Sequence, residues 1–304
     1  MSSEFSRQLH FLVKLLVHLK VVDMTTASEL IKKELLINKP SMIARFGSNE
    51  IRAVLYPKLT LFFKGIIKKM MNYNPKSKEF VNMKICAGFF PSNSQTIKQF
   101  SDLMHQDMKE LDILGSWRFE EKFLVSNFRK ANIVPLQSLE PYLQLNPWSE
   151  LLKNKKVLVI HPFNNTIRSQ YQNKRKLLFK DPRVLPLFKS LQTIKAVQTL
   201  AGNKVQFKDW FEALAFMKKQ IDSKDFDIAI IGAGAYGFPL AAHIKRIGKK
   251  AVHLGGATQM LFGIKGKRWV DNPKFKHIIN EHFVYPSDDE KINNATKVED
   301  GCYW

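Results

Sequence analysis

The stretch from residue 226 to 269, FDIAIIGAGAYGFPLAAHIKRIGKKAVHLGGATQMLFGIKGKRW, constrains the fold of this chain most. Residues 228–231 form a short apolar run of the kind buried on both faces of a parallel sheet. Glycines follow at 232, 234 and 237, residues 239–247 read as a helix closed by Gly248, and residues 251–254 read as a second strand ended by Gly255-Gly256. That order is a βαβ-like unit, with glycine where a strand turns sharply into a helix. Such a turn lets a ligand approach the backbone, and helix N-terminal N–H groups favour an anion.

Charge supports an anionic ligand. Between Asp227 and Asp271 there is no Asp or Glu, while Lys245, Arg246, Lys249, Lys250, Lys265, Lys267 and Arg268 all fall inside. A phosphate-bearing ligand near the turn would meet an unopposed positive field. The four cations at 245–250 suit first a solvated helix face. Lys265, Lys267 and Arg268, set among Gly263, Gly266 and Trp269, are the better candidates for a diphosphate clamp. Gly232, Gly234 and Gly237 also match the dinucleotide fingerprint, with Ala233 and Tyr236 inside it. The next strand ends in His253-Leu254-Gly255-Gly256, however, without the acidic residue that holds a ribose. NAD is therefore not the expected cofactor. An NAD(P)-dependent enzyme using Lys249 or Lys250 on a 2′-phosphate is the alternative.

With 304 residues the chain suffices for one large α/β domain. The expected division is an N-terminal helical segment at 1–38, an α/β domain at 39–286 and a polar tail at 287–304. The 48 basic against 27 acidic residues give a net charge of +21, which favours anionic partners. Basic residues are spread along the chain without a helix-turn-helix, RNP or zinc-finger pattern, so nucleic acid is the lesser alternative and is not expected as a partner. Cys86 and Cys302 lie too far apart in sequence to suggest a disulfide scaffold, and they suit a reducing, cytoplasmic setting.

Along the chain, residues 5–22 place Leu9, Leu12, Leu16 and Leu19 on one helical face with basic borders, and residues 59–71 repeat the pattern. These faces suit either an anionic membrane surface or burial against the domain or a second copy of the chain. A helix over 26–36 starts at Thr26 with Glu29 three residues on. Residues 41–44 read as a strand running into Arg45-Phe46-Gly47-Ser48-Asn49-Glu50 and then a helix. Residues 84–90 read as a strand, 94–111 as a helix, 132–134 and 156–160 as strands, and 210–220 as a helix. His161 ends the strand at 156–160, where open sheets place ligand-binding residues. Asn165 or Thr166 can cap the helix at 167–178. The tail reads as a mobile arm or a peripheral wrap.

Two pieces together carry a family resemblance. Ile43-Ala-Arg-Phe-Gly-Ser-Asn-Glu50 resembles the N-terminal signature of GT-D-fold glycosyltransferases, in which Arg-Phe-Gly precedes an Asp-x-Glu motif. The strand, glycine turn, helix and strand of 228–255 are similar to that family's later segment. The resemblance spans about residues 40 to 270. It implies a Rossmann-like, mostly parallel α/β sheet with helices on both faces. It also implies a nucleotide-sugar donor, a UDP-sugar first, and a glycan or lipid-linked glycan acceptor.

Residue by residue, Arg45 and Glu50 take the catalytic positions. Phe46, Gly47, Ser48, the glycine turn, His253, Gly255, Gly256, Gln259 and the 265–268 loop lie on the donor side. His161, Asn164 and Gln259 are candidates for sugar or acceptor hydroxyls. The family motif is associated with a divalent cation. Here Ser48 stands where its first carboxylate would be, and a hydroxyl plus Glu50 is a poor Mn²⁺ or Mg²⁺ site unless the diphosphate and waters supply most ligands.

The membrane expectation is directly testable. The intact chain should float with anionic but not neutral liposomes at low salt, at about 1 kcal/mol per basic residue near the surface. Indifference to anionic vesicles would refute it.

Overall fold

The computed structural model describes residues 19–62 and 78–304. The expected amphipathic faces at 5–18 and 63–71 lie outside them. Seven strands form one sheet in the order β3-β2-β1-β7-β6-β4-β5, and every pairing is parallel. They are β1 (Ser41–Ala44), β2 (Ile113–Ser116), β3 (Asn132–Pro135), β4 (Lys156–His161), β5 (Ser190–Lys195), β6 (Ile228–Ile231) and β7 (Lys250–His253).

Successive side chains on a strand point to opposite faces. Ile228, Ile230 and Val252 therefore enter one core, with Ile31, Trp148, Ile167 and Phe262. Ala229, Ile231 and Ala251 enter the other, with Val54, Phe100, Trp210, Leu240 and Ile244. Parallel crossovers require covering on both faces, and it is supplied. One face carries α1 (Met24–Leu36) and, further along the chain, Asn164–Leu178. The other carries α2 (Ser48–Phe62), α3 (Lys78–Ala87) and α4 (Ser94–Asp107), then Trp210–Asp222 and Gly237–Arg246. In chain order those last three helices are α5 (Asn164–Leu178), α6 (Trp210–Asp222) and α7 (Gly237–Arg246). The sheet is thus the parallel α/β architecture with helices on both faces that the resemblance implied, and the central stretch is one βαβ unit of it.

Helix α7 returns from the carboxyl edge of the sheet to its amino edge. It is stopped there by Gly248 at φ +82°, with Lys249 N–H donating to the Ile244 carbonyl. The basic residues at 245–250 are consequently spent on structure at that far edge. Lys245 pairs with Asp112 at 2.7 Å, and Arg246 with the buried Asp107 at 2.6 Å. Lys249 lies over the Phe226 ring, and Lys250 donates to the carbonyls of Glu34, Leu35 and Ile37 at the end of α1. A four-residue strand separates this edge from the glycine turn, so Lys249 and Lys250 cannot serve a 2′-phosphate bound there.

Three local expectations are corrected. Residues 84–90 are not a strand. Lys78–Ala87 is helical, and Met83 and Ala87 are buried against α2 and Phe89 rather than alternating across a sheet. Helix α1 begins at Met24, not Thr26, because Asp23 caps it by accepting from the Thr25 and Thr26 N–H groups at 2.9 and 3.0 Å. Helix α5 begins at Asn164, and neither Asn165 nor Thr166 caps it with its own side chain. Its cap comes from 124 residues away. Glu290 accepts from Asn165 N–H at 2.7 Å, and from Thr166 N–H at 3.2 Å and the Thr166 hydroxyl at 2.5 Å.

That carboxylate is buried and sits at the positive end of the helix dipole. It pins the segment 287–304 to the domain, where Val298, Gly301 and Cys302 are buried as well. Replacing Glu290 with Ala leaves the part-buried Asn165 N–H and the buried Thr166 N–H without this acceptor. The expected loss is about 1–3 kcal/mol in the urea unfolding free energy; a variant as stable as the parent would remove Glu290 from this role.

Candidate active site

A cavity of about 520 Å³ opens at the carboxyl edge of the sheet, a size suited to a small-molecule ligand. The ends of β1, β2, β4, β6 and β7 all supply its wall through Arg45, Trp117, His161, Gly232 and His253. In a parallel sheet this edge is where strands hand over to loops, so ligands bind outside it.

Arg45 leaves β1 half-buried, its guanidinium 5.0 Å from the centroid of the Trp117 ring. Trp117 is fixed in turn, its indole N–H donating to the Phe46 carbonyl at 2.9 Å. Among the described residues no carboxylate lies within ion-pair distance of Arg45. Burial works against its charge, and the Glu50 carboxylate is the main group supporting it. Glu50 stands in the first turn of α2, folded back over Gly47; a Cβ at Gly47 would lie 1.8 Å from Glu50 Oε2. Burial, only partly opposed by Arg45, raises the Glu50 carboxyl above its ordinary value. The pair couples through space without quenching itself.

Two buried histidines form the floor. The His161 Nδ1 accepts from Phe163 N–H at 3.0 Å, which leaves the proton of the neutral ring on Nε2. His253 Nδ1 lies 3.2 Å from the Ile231 carbonyl, an arrangement that calls for the opposite tautomer. Burial pushes both down to about 3, so neither is charged at neutral pH. Gly232 fits between His161 and the turn that follows β7. A Cβ there would stand 2.6 Å from both the Gly255 carbonyl oxygen and His161 Cδ2.

The remaining wall comes from the chain's last third. Arg268 and Trp269 face the cavity, as do Glu299, Tyr303 and Trp304 of the segment expected to be an arm or wrap. Arg268 pairs with Glu299, donates to the Tyr303 hydroxyl at 3.3 Å and lies 4.7 Å from the centre of that ring. The tail backbone is bonded to this wall. Arg268 N–H donates to the Cys302 carbonyl at 3.0 Å, and Gln259 Nε2 to the Tyr303 carbonyl at 3.2 Å. Gln259 Oε1 and Thr258 Oγ1 are buried without a protein partner.

Of the residues singled out from sequence, Arg45, Gly47, Ser48, Glu50, His161, Gly232, Gly234, His253, Gly255, Gly256, Gln259 and Arg268 line the cavity. The others do not. Phe46 turns into the core and stacks on Phe238 at 4.7 Å, and Tyr236 stacks on Trp210 at 4.9 Å. Ala233 is buried, and Gly237 gives way to the His253 ring, 2.1 Å from where its Cβ would be. Asn164 lies buried at the start of α5, bonded to Asn165. The expected three-cation clamp reduces to Arg268: Lys265 lies over the Tyr285 ring, and Lys267 is exposed on the short helix Lys267–Val270. Trp117, Glu140, Trp269, Glu299, Tyr303 and Trp304 were not foreseen in the site. For Tyr303 and Trp304 the signal was a pair of large aromatics after a polar stretch, and for Trp269 its place beside Arg268.

The carboxylates present do not by themselves make a divalent-cation site. Glu140 bonds to the Tyr142 hydroxyl at 2.8 Å and Glu299 to Arg268, which leaves Glu50, with Ser48 also lining the cavity. Among the described residues no group of three acidic, histidine or cysteine side chains is placed to hold a metal ion.

No protein family and no curated protein matches the sequence. Solved structures do resemble it in form. One is a selenomethionine-substituted domain of unknown function 1792, with 16% identity over 83% of each chain and a TM-score of 0.45. A second is described as the highly conserved domain of unknown function 1792 with a distinct glycosyltransferase fold, with 16% identity, 81% of this chain and 82% of that one covered, and a TM-score of 0.43. A third is described as a new glycosyltransferase of the same domain type from Streptococcus sanguinis, with 13% identity, 90% and 96% coverage and a TM-score of 0.38. What the cavity can do chemically follows from its own residues.

The histidine floor has a consequence for stability. Both rings stay neutral in the fold, while in the unfolded chain they take up protons below about 6.5. Stability is therefore full above pH 6.5 and declines as pH falls through that value toward 3, by about 1.4 kcal/mol per pH unit for each histidine. Urea unfolding between pH 7.5 and 5 should show this slope, reduced in His253→Asn. A flat profile would mean that the rings are accessible to protons in the fold.

Proposed function

We propose that this chain is a glycosyltransferase that moves a sugar from a nucleotide-diphosphate donor, a UDP-sugar first, to a glycan or lipid-linked glycan acceptor in glycoconjugate or polysaccharide biosynthesis. The observation that carries the reading is the unpaired Arg45 guanidinium facing the same cavity as Arg268 and the unpaired Glu50 carboxylate. A partly desolvated cation without a carboxylate partner is costly unless an anion joins it. Two guanidiniums suit the two phosphates of a diphosphate, since planar forks bind such oxygens in a bidentate manner. The aromatic wall of Trp269, Tyr303 and Trp304 offers apolar surface to the base or sugar.

In the reaction the acceptor hydroxyl oxygen bonds to the anomeric carbon. The bond from that carbon to the diphosphate oxygen breaks, and its electron pair leaves with the nucleoside diphosphate. Arg45 and Arg268 stabilise the negative charge that develops on the leaving group. Glu50, with its carboxyl raised toward neutrality by burial, takes the hydroxyl proton. His161 presents an Nε2–H donor to a sugar or acceptor oxygen and carries no charge. No step runs through a metal ion. Among the described residues no helix is long and apolar enough to cross a membrane; a cytoplasmic place at the inner membrane face, reached through the basic N-terminal segment, accompanies the lipid-linked acceptor.

A panel of nucleotide-sugars with and without Mn²⁺, followed by melting shift and nucleotide release, tests the reading. Glu50→Gln should cut turnover about 100-fold or more while leaving nucleoside diphosphate binding intact. Arg45→Ala or Arg268→Ala should weaken that binding by about 1.5–3 kcal/mol. Near-normal turnover in the glutamine variant would take Glu50 out of the mechanism, and silence toward every nucleotide-sugar would refute the function.

A further inference from the structure

Glu299 is placed in the cavity against a backbone preference. It and Asp300 both adopt left-handed conformations, φ +46° and +55°, although neither is glycine. Such conformations are unfavourable for side-chain-bearing residues and persist where the surroundings enforce them. The surroundings here are specific. Upstream, Glu290 anchors the segment to α5. Downstream, the Cys302 and Tyr303 carbonyls are bonded to Arg268 N–H and Gln259 Nε2. Between these anchors the chain directs the Glu299 carboxylate onto the Arg268 guanidinium, with the Cys302 thiol donating to the same carboxylate at 3.6 Å.

The ion pair does not repay this as stability. Both partners are partly exposed, at 39% and 49%, and pairs of that kind contribute little. Its position suggests another use. Arg268 is one of two guanidiniums facing the cavity, and Arg45 has no such partner.

We propose that Glu299 is a resident anion that occupies Arg268 until a ligand phosphate displaces it, so that the cavity selects ligands by the charge and bidentate reach of their anion. This rests on the reading of the cavity as a diphosphate site. A carboxylate or a singly charged phosphate gains little by exchanging with Glu299, since it replaces one carboxylate-like contact with another. A diphosphate bridging Arg45 and Arg268 gains both guanidiniums at once. The segment's backbone stays anchored during the exchange, and only the Glu299 side chain turns toward solvent.

Isothermal titration of the full-length chain with inorganic pyrophosphate and with orthophosphate tests this. Glu299→Gln keeps the shape and removes the charge, and should bind pyrophosphate about five- to tenfold more tightly than the parent. Its preference for pyrophosphate over orthophosphate should narrow. Glu299→Asp, which keeps the charge but shortens the reach, should show part of the gain. In an Arg268→Ala background the Glu299→Gln gain should vanish, which a merely structural role for Glu299 does not predict.

Unchanged or weaker binding in both Glu299 variants, their failure to fold, or a gain that persists without Arg268 would overturn the proposal. Binding that ignores position 299 sinks only this inference. If the parent and every variant fail to bind pyrophosphate, the diphosphate reading fails and this inference falls with it.

Discussion

The carboxyl edge of the sheet depends on the absence of a side chain at Gly232. One added carbon would meet a backbone oxygen of Gly255 and the ring of His161 at the same 2.6 Å. Backbone cannot yield as a flexible side chain can, so β4, β6 and β7 approach as they do only with hydrogen at this position. That approach holds His161 at the cavity wall, and the equally close Gly237 holds His253 there. Their burial makes them neutral, and their fixed hydrogen bonds turn them into a donor and an acceptor rather than a charge.

With the floor neutral, the cavity's charge is set by its rim. Arg45 and Glu50 are five residues apart on either side of a strand-to-helix turn, and Arg268 arrives from a short helix near the other end of the chain. An arginine that forms no direct pair at such an edge keeps its field for a ligand, and Arg268 carries its own counter-ion on the 287–304 segment. The +21 net charge bears only indirectly on this. Lys245, Arg246 and Lys250 are bound to carboxylates and helix carbonyls at the opposite edge of the sheet. The cavity itself is lined by three acidic groups, Glu50, Glu140 and Glu299, against two cationic ones, Arg45 and Arg268.

The 287–304 segment illustrates how a polar stretch becomes structural. It has few apolar residues, so composition predicts an arm. Among the contacts that hold it are a buried carboxylate at a helix N-terminus and three hydrogen bonds from the cavity wall to its carbonyls, two from backbone N–H groups and one from the Gln259 side chain. None of these partners is near in sequence.

Much of the frame was legible in the chain itself. Runs such as Ile228–Ile231 and Lys156–His161 are too apolar to be anything but buried strands, and glycine at 232, 248 and 255 marks where they begin and end their crossovers. Local chemistry sufficed there because a parallel sheet buried on both faces demands it. β5 was missed because Ser190–Lys195 is an edge strand with polar residues, and β2 because four residues ending in Gly-Ser carry almost no period. Arg45, Glu50, His161 and Arg268 could be named from their places at strand ends and loops. Which cations would face the ligand could not. Lys265 and Arg268 are three residues apart and chemically alike, and only the path of the loop against Tyr285 or Tyr303 separates them. The tertiary structure alone decided that the Glu290 carboxylate caps α5, that Glu299 meets Arg268, and that the final aromatics close the cavity. Each of those contacts joins residues by through-space geometry, for which a linear pattern has no term.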